Sequence, residues 1–328
     1  MNCFARYSMS PLRPQSTCDE HNMLDAKINP VSNDLFLITL PPPIPGFDDF
    51  IGCWLYRKDI SFIVDPGPSV TAETLARALK ELKVSHLDYI FLTHIHIDHA
   101  GGVGDIAAYF PESPIICHKA GIPHLVDPSR LWEGSVKTLG ETAKAYGPIK
   151  PVSSNRFIQT DQFKSDIIMP VFTPGHSANH VSYLTEKYLF AGEAGGVFLS
   201  LDSGCEYLRP ATPPRFFLEI STESIDALIE KNPLNICYGH HGIKENAVQM
   251  LNKNRNQLLL WEKIIKKEIQ NNNDDFLTSC FNRLLKEDSL LDGFSHMGQS
   301  VRTREQGFII NSIKGYEGYL RSVGSSPD

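Results

Sequence analysis

Thr93-His94-Ile95-His96-Ile97-Asp98-His99 sets three imidazoles and one carboxylate side by side, directly after the apolar run Tyr89–Leu92. That run reads as a short buried strand. In extended backbone alternate side chains share a side, so His94 and His96 point the same way. Two imidazoles on one side, joined by a third ligand from elsewhere, suit a borderline metal such as zinc. Asp98 and His99 come where the chain must turn, and can face a second metal. Ala100-Gly101-Gly102 then allows a tight turn into a helix without a Cβ clash. The plain alternative is a histidine-rich surface loop. So many polar groups at the end of an apolar strand are costly without something to coordinate, which argues against it.

The surrounding pattern is layered. Asp34–Leu40 reads as a strand, and the proline-rich stretch Leu40–Phe50 as a stiff loop that cannot pair. Ile51–Arg57 and Ile60–Val64 read as a hairpin turning at Lys58-Asp59. A helix is expected over Thr71–Lys83 with Thr71 as its N-cap, another over Val103–Phe110, and a strand at Pro114–Cys117. Further strands are expected at Ile167–Thr173, Val181–Leu184, Tyr188–Ala191 and Asn235–Tyr238, with a helix over Phe216–Glu230. From Lys244 onward amphipathic stripes through Leu258, Trp261 and Ile265, then Phe276, Phe281 and Leu284, then Phe308 to Leu320, predict a helical subdomain. The expected division is a poorly ordered leader over residues 1–30, a catalytic domain over 31–243 and a helical subdomain over 244–328.

Two further histidines close β-like runs, in Thr173-Pro174-Gly175-His176 and in Tyr238-Gly239-His240. With them the chain resembles the metallo-β-lactamase superfamily. The HxHxDH signature is matched by His94, His96, Asp98 and His99, the later TPGH by His176, and the terminal GH by His240. The resemblance implies an α+β fold, an αββα sandwich of two mixed sheets flanked by helices, with metals at one edge between the sheets. It further implies that His94, His96 and His176 hold one metal, that Asp98, His99 and His240 hold the other, and that a carboxylate bridges them. Where the family usually has Asp, this chain has Glu193 in Phe190-Ala191-Gly192-Glu193. The longer side chain can still bridge, with altered reach. Asp65 resembles a family position that braces a ligand, and His180 is a candidate for orienting a ligand or the substrate.

What the resemblance implies for chemistry is a metal-dependent hydrolase in which metal-bound hydroxide, oriented by Asp98, cleaves a thioester, ester or lactone. Two Zn2+ are the expected cofactors, with one or two Fe2+ as the alternative. The helical tail resembles the C-terminal helices that cover the site in hydroxyacylglutathione hydrolases. Apolar residues at Phe47 and Trp132 are expected to wall the site, and Tyr207 and Arg209 to anchor a small acyl substrate. Two other readings stay open: an iron enzyme of the persulfide-dioxygenase type, and a non-catalytic regulator that keeps the fold.

Composition narrows the partners. The 328 residues carry 31 Lys+Arg against 38 Asp+Glu, so a basic nucleic-acid footprint is absent and nucleic acid is not the expected partner. No apolar run approaches the ~18–20 residues that span a bilayer, so no membrane is expected. The 7 cysteines are odd in number and include no C-x-x-C pair, as reduced thiols of a cytoplasmic protein would. Self-association into a homo-oligomer is compatible with all of this.

Overall fold

A computed structural model describes residues 25–201, 204–213, 216–271 and 274–324. Most of the leader expected over residues 1–30 therefore lies outside the described residues. Its last part does not: β1 (Lys27–Pro30) pairs antiparallel with β2 (Leu35–Thr39), which extends the sheet one strand before the expected start. The first sheet continues through β3 (Gly52–Arg57), β4 (Ser61–Val64), β5 (Tyr89–Phe91), β6 (Ile115–Cys117) and β7 (Phe157–Gln159), in sequential order. Pairing is antiparallel up to β4 and parallel from β4 to β7. The second sheet contains β8 (Met169–Phe172), β9 (Val181–Leu184) and β10 (Tyr188–Gly192). A separate hairpin, β11 (Val197–Ser200) with β12 (Glu206–Arg209), follows it. The second sheet is then completed by β13 (Asn235–Tyr238) and β14 (Ile243–Glu245), in the order β14-β13-β10-β9-β8 with β10 and β13 parallel.

Period-two alternation sorts the strands' side chains into two layers. Leu35, Leu37, Trp54, Tyr56, Phe62, Val64 and Phe91 of the first sheet meet Tyr183, Phe190 and Cys237 of the second in one apolar cluster. The intervening Ile38, Cys53, Leu55, Ile63 and Ile90 point the other way, against helices α1 (Ala72–Glu81), α2 (Ile97–Ala100) and α3 (Val103–Tyr109). Each such large side chain, once sealed, contributes roughly 1.5–3 kcal/mol before entropy is counted. Thr71 does precede α1, but its hydroxyl donates to Pro68 O at 3.0 Å. A 3-10 turn over Ser69–Thr71 runs straight into the helix, so the side chain caps nothing.

Between β6 and β7 the chain inserts α4 (Ile122–Val126), α5 (Ser129–Leu139) and α6 (Glu141–Tyr146). Helix α7 (Leu218–Glu230) then covers the second sheet, followed by α8 (Ala247–Asn271), α9 (Phe276–Glu287), a 3-10 stretch over Ser289–His296, and α10 (Gln299–Gly324). The tail begins slightly later than residue 244, because Ile243–Glu245 is still a strand. Its apolar face does not form a core of its own. Trp261, Ile265, Ile309, Ile313 and Tyr316 belong to the same contiguous cluster as Leu189, Ile225 and Phe198.

Candidate metal centre

The strand topology gathers the candidate ligands at one edge. His94 and His96 follow β5, and Asp65 follows its parallel neighbour β4. His176 lies beyond the end of β8, Glu193 follows β10, and His240 follows β13, which runs parallel to β10. The two sheets are tied at this end by backbone. Val181 N donates to Thr93 O at 2.8 Å, Trp54 Nε1 to Tyr238 O at 2.9 Å, and Ile51 bridges His240.

His94, His96, His176 and Glu193 offer ligand atoms that all lie within 4.8 Å of one another. His94 Nε2 is 3.0 Å from His96 Nδ1, which is 2.9 Å from His176 Nε2. These contacts cannot all be hydrogen bonds. Thr93 Oγ1 donates to Asp65 Oδ2 at 2.7 Å, so the 3.0 Å contact to His94 Nδ1 makes that nitrogen the donor. His176 Nδ1 donates to Ala211 O at 2.9 Å. Both Nε2 atoms are therefore bare in the neutral rings, and His96 Nδ1 could supply a proton to only one of them. A cation satisfies all three nitrogens together, and the three-nitrogen, one-carboxylate set suits a borderline divalent metal.

The second group is Asp98, His99 and His240, again within 4.8 Å of one another. His99 Nδ1 donates to Asp65 Oδ2 at 3.1 Å, which turns its Nε2 inward, buried and without a hydrogen-bond partner. Glu193 stands between the groups. Its Oε2 is 2.7 Å from His176 Nε2, 3.5 Å from His94 Nε2 and 3.6 Å from His99 Nε2, while Oε1 is 3.2 Å from His240 Nε2. The longer side chain thus reaches both groups.

Glu193 is itself held through its backbone. Glu193 N donates to His180 Nε2 at 3.1 Å, so the His180 proton sits on Nδ1 and is donated to Thr173 Oγ1 at 2.8 Å. That hydroxyl is 3.0 Å from Ser182 Oγ, which donates to Ala191 O at 3.1 Å. Gly192 adopts φ 55°, and a Cβ there would lie 2.4 Å from His180 Nε2, so only glycine fits.

Electrostatics divides the rings. Burial holds His94 well below the usual imidazole range, and burial together with the neighbouring His176 ring lowers His96 to about 4. For His99 burial acts in the same direction but is outweighed by Asp98, Asp65 and Glu193, which raise it well above its ordinary value. His176 is raised against its burial by Glu193. Glu193 is held well below the carboxylate range, its burial overcome by His176 and His240. The cluster therefore keeps a carboxylate ionised in a buried place, a charge that a bound cation balances.

The expected substrate residues fall differently. Phe47 is buried, edge-on to Phe50 at 5.3 Å, and backs the site rather than lining it openly. Trp132 is half-buried on α5. Tyr207 is fully buried with a sealed hydroxyl. Arg209 is buried with its Nε 2.5 Å from Glu305 Oε2 and its guanidinium over Phe308, so it is committed to α10 and does not open to a ligand. A charge this buried needs a partner, and the partner lies too far along the chain for sequence to reveal. Thr93 lies within the histidine run, but that its hydroxyl links Asp65 to His94 depends on the neighbouring strand and no spacing reveals it.

The sequence profile of the metallo-beta-lactamase superfamily matches residues 47–240. The metallo-beta-lactamase fold-containing protein ST1585 of Sulfurisphaera tokodaii is 28% identical over 188 residues, 52% of this chain and 69% of that protein. A hydroxyacylglutathione hydrolase of Salmonella paratyphi A is 30% identical over 196 residues, 57% of this chain and 62% of that protein, so the match spans less than two thirds of it. Among solved structures, ST1585 from Sulfolobus tokodaii superposes with a TM-score of 0.65 at 21% identity, covering 87% of this chain and 99% of that one. The metallo-beta-lactamase family protein TTHA1429 from Thermus thermophilus gives 0.61 at 17%, covering 90% and 96%. At these identities the likeness of the structures is one of fold.

Proposed function

The chain belongs to the metallo-β-lactamase superfamily, and from that premise we propose that it is a metal-dependent hydrolase of a small acyl thioester, ester or lactone. The observation that carries this reading is the paired ligand set: two groups of three inward-facing donors that share Glu193 between them. Bound there, zinc or a similar divalent ion supplies Lewis acidity and lowers the pKa of water to near neutrality. The rest is work for this chain's own residues. Asp98 is partly exposed, with one oxygen 3.9 Å from His99 Nε2 and 3.8 Å from His240 Nε2, and it accepts a proton from the attacking water. Asp65, through its contacts to Thr93 and His99, keeps two rings in the tautomer that faces inward. Phe50, stacked 4.1 Å from His240, excludes water from behind that ring.

The relative named a hydroxyacylglutathione hydrolase supports a thioester within this class. The test is a panel of acyl thioesters, aryl esters and lactones given to metal-replete protein, with bound metal measured alongside. Turnover of at least one class, abolished in His96→Ala, is expected. Protein that holds stoichiometric metal and hydrolyses none of them would refute the reading. Bound iron with oxygen uptake on a persulfide would replace it with an oxidative one.

A further inference from the structure

Within the inserted helices α4 to α6, α5 has no buried residue, while α4 is held by Leu125. The insertion is anchored at its end, where Ala143 and Tyr146 of α6 are 0% and 2% exposed. Helix α6 packs against α2, the short helix that carries Asp98 and His99. The Tyr146 ring lies edge-on to Phe47 at 6.3 Å, and Phe47 lies edge-on to Phe50, which stacks on His240. Tyr146 thus closes an aromatic wall along one side of the metal centre.

Its hydroxyl differs from those of the four tyrosines that are fully buried. Tyr183 donates to Leu92 O at 2.9 Å and Tyr316 to Leu258 O at 3.0 Å. The Tyr207 hydroxyl is sealed beside Glu305, and that of Tyr238 is sealed without a partner. The Tyr146 hydroxyl has no hydrogen-bond partner among the described residues, yet it is not among the sealed atoms. A side chain only 2% exposed thus carries a hydroxyl left without a partner among the described residues and able to donate. Its place is beside the ligands, between α2, which carries Asp98 and His99 and against which its helix packs, and the Phe47–Phe50 pair that stacks on His240.

We infer that Tyr146 is a catalytic residue, its phenol O–H donating a hydrogen bond to the substrate's carbonyl oxygen as negative charge develops there. This rests on the hydrolytic reading above. As the water oxygen bonds to the carbonyl carbon, the C=O π pair moves onto oxygen and one water proton passes to Asp98. The phenol donates to that oxygen and keeps its proton. Collapse restores the carbonyl and breaks the bond to sulfur or oxygen, and the leaving group takes the proton back from Asp98. Burial, and after it the Asp98 carboxylate, push the phenol well above its usual value, while the Arg304 guanidinium opposes them. The group therefore stays a neutral donor at physiological pH.

Tyr146→Phe tests this, because it removes one oxygen and leaves the ring packed on Phe47. With melting temperature and bound metal unchanged, kcat is expected to fall about 100-fold while KM moves less than about 3-fold. Calorimetric titration with an alkyl phosphonate, a tetrahedral anionic analogue, should show about 10- to 100-fold weaker binding by the variant, with affinity for the carboxylate product little changed. A variant as active as the parent, or one that weakens product and phosphonate alike, overturns the assignment. Parent protein that binds metal but neither turns over an ester nor binds phosphonate overturns the hydrolytic reading and the tyrosine's role with it. An active parent with an indifferent variant sinks the tyrosine alone.

Discussion

In the half of the centre formed by His94, His96 and His176, two rings are fixed from behind, His94 Nδ1 by Thr93 and His176 Nδ1 by Ala211 O. In the half formed by Asp98, His99 and His240, His99 is fixed by Asp65, but His240 Nδ1 is buried without a partner. The His240 plane is set by stacking on Phe50 and by the backbone bridge to Ile51. A hydrogen bond to the outer nitrogen fixes the tautomer and raises the basicity of the inner one. Stacking fixes the plane and leaves the tautomer free. The same residue types therefore make a firm half and a softer half, and the two should fill in that order as metal is added.

The largest effect that separates them is removal of a ligand from each. His176→Ala is expected to lose the firm half's metal and about 10³-fold or more of kcat/KM, whereas His240→Ala keeps close to one metal per chain. Metal content by emission spectroscopy checks this, and equal losses in both variants would break the comparison. Asp65→Asn comes next. Asp65 sits at φ 55°, a conformation asparagine tolerates, so the backbone is kept while the carboxylate that braces His99 directly and His94 through Thr93 is lost. Affinity should fall about 10- to 100-fold, more at the softer half, in a two-step metal titration.

The third concerns pH. Burial, with the charge of His176, places His180 well below the ordinary imidazole value when folded. As pH falls through about 6.5 the unfolded chain takes up this proton first, so the stabilisation is complete above that value and is lost toward acid. His180→Gln should flatten the fall of unfolding free energy between pH 6.5 and 5 by up to ~1.4 kcal/mol per pH unit. An unchanged slope in urea melts would remove His180 from the account. The smallest is Phe50→Leu, expected to cost about 1–2 kcal/mol of stability. It should weaken the softer half several-fold and leave the firm half untouched in the same titration.

What sequence could show followed distance along the chain. The cluster His94 to His99 was legible because its ligands are neighbours on one strand end and its geometry follows from backbone alternation. His176 and His240 were legible because each closes an apolar run, so the sandwich and its metal edge could be anticipated together. The hairpin β11–β12 and strand β1 were not, since their pairing depends on partners rather than on local pattern. Arg209 looked like a free anchor because Glu305, which neutralises it, lies on the far helix. Tyr146 gave no signal at all. Its role depends on the close approach of α6 to α2, which no spacing encodes.

The shared core of sandwich and tail also bears on how the protein is made. Phe308 stacks 5.6 Å from Phe50, and Arg304 lies 3.9 Å over the same ring, on the side away from His240. During synthesis His240 leaves the ribosome well before these residues do. Until α10 arrives, the Phe50 ring that stacks on His240 lacks the cover of Phe308 and Arg304. Closure of this side of the candidate centre therefore waits for the last helix of the chain.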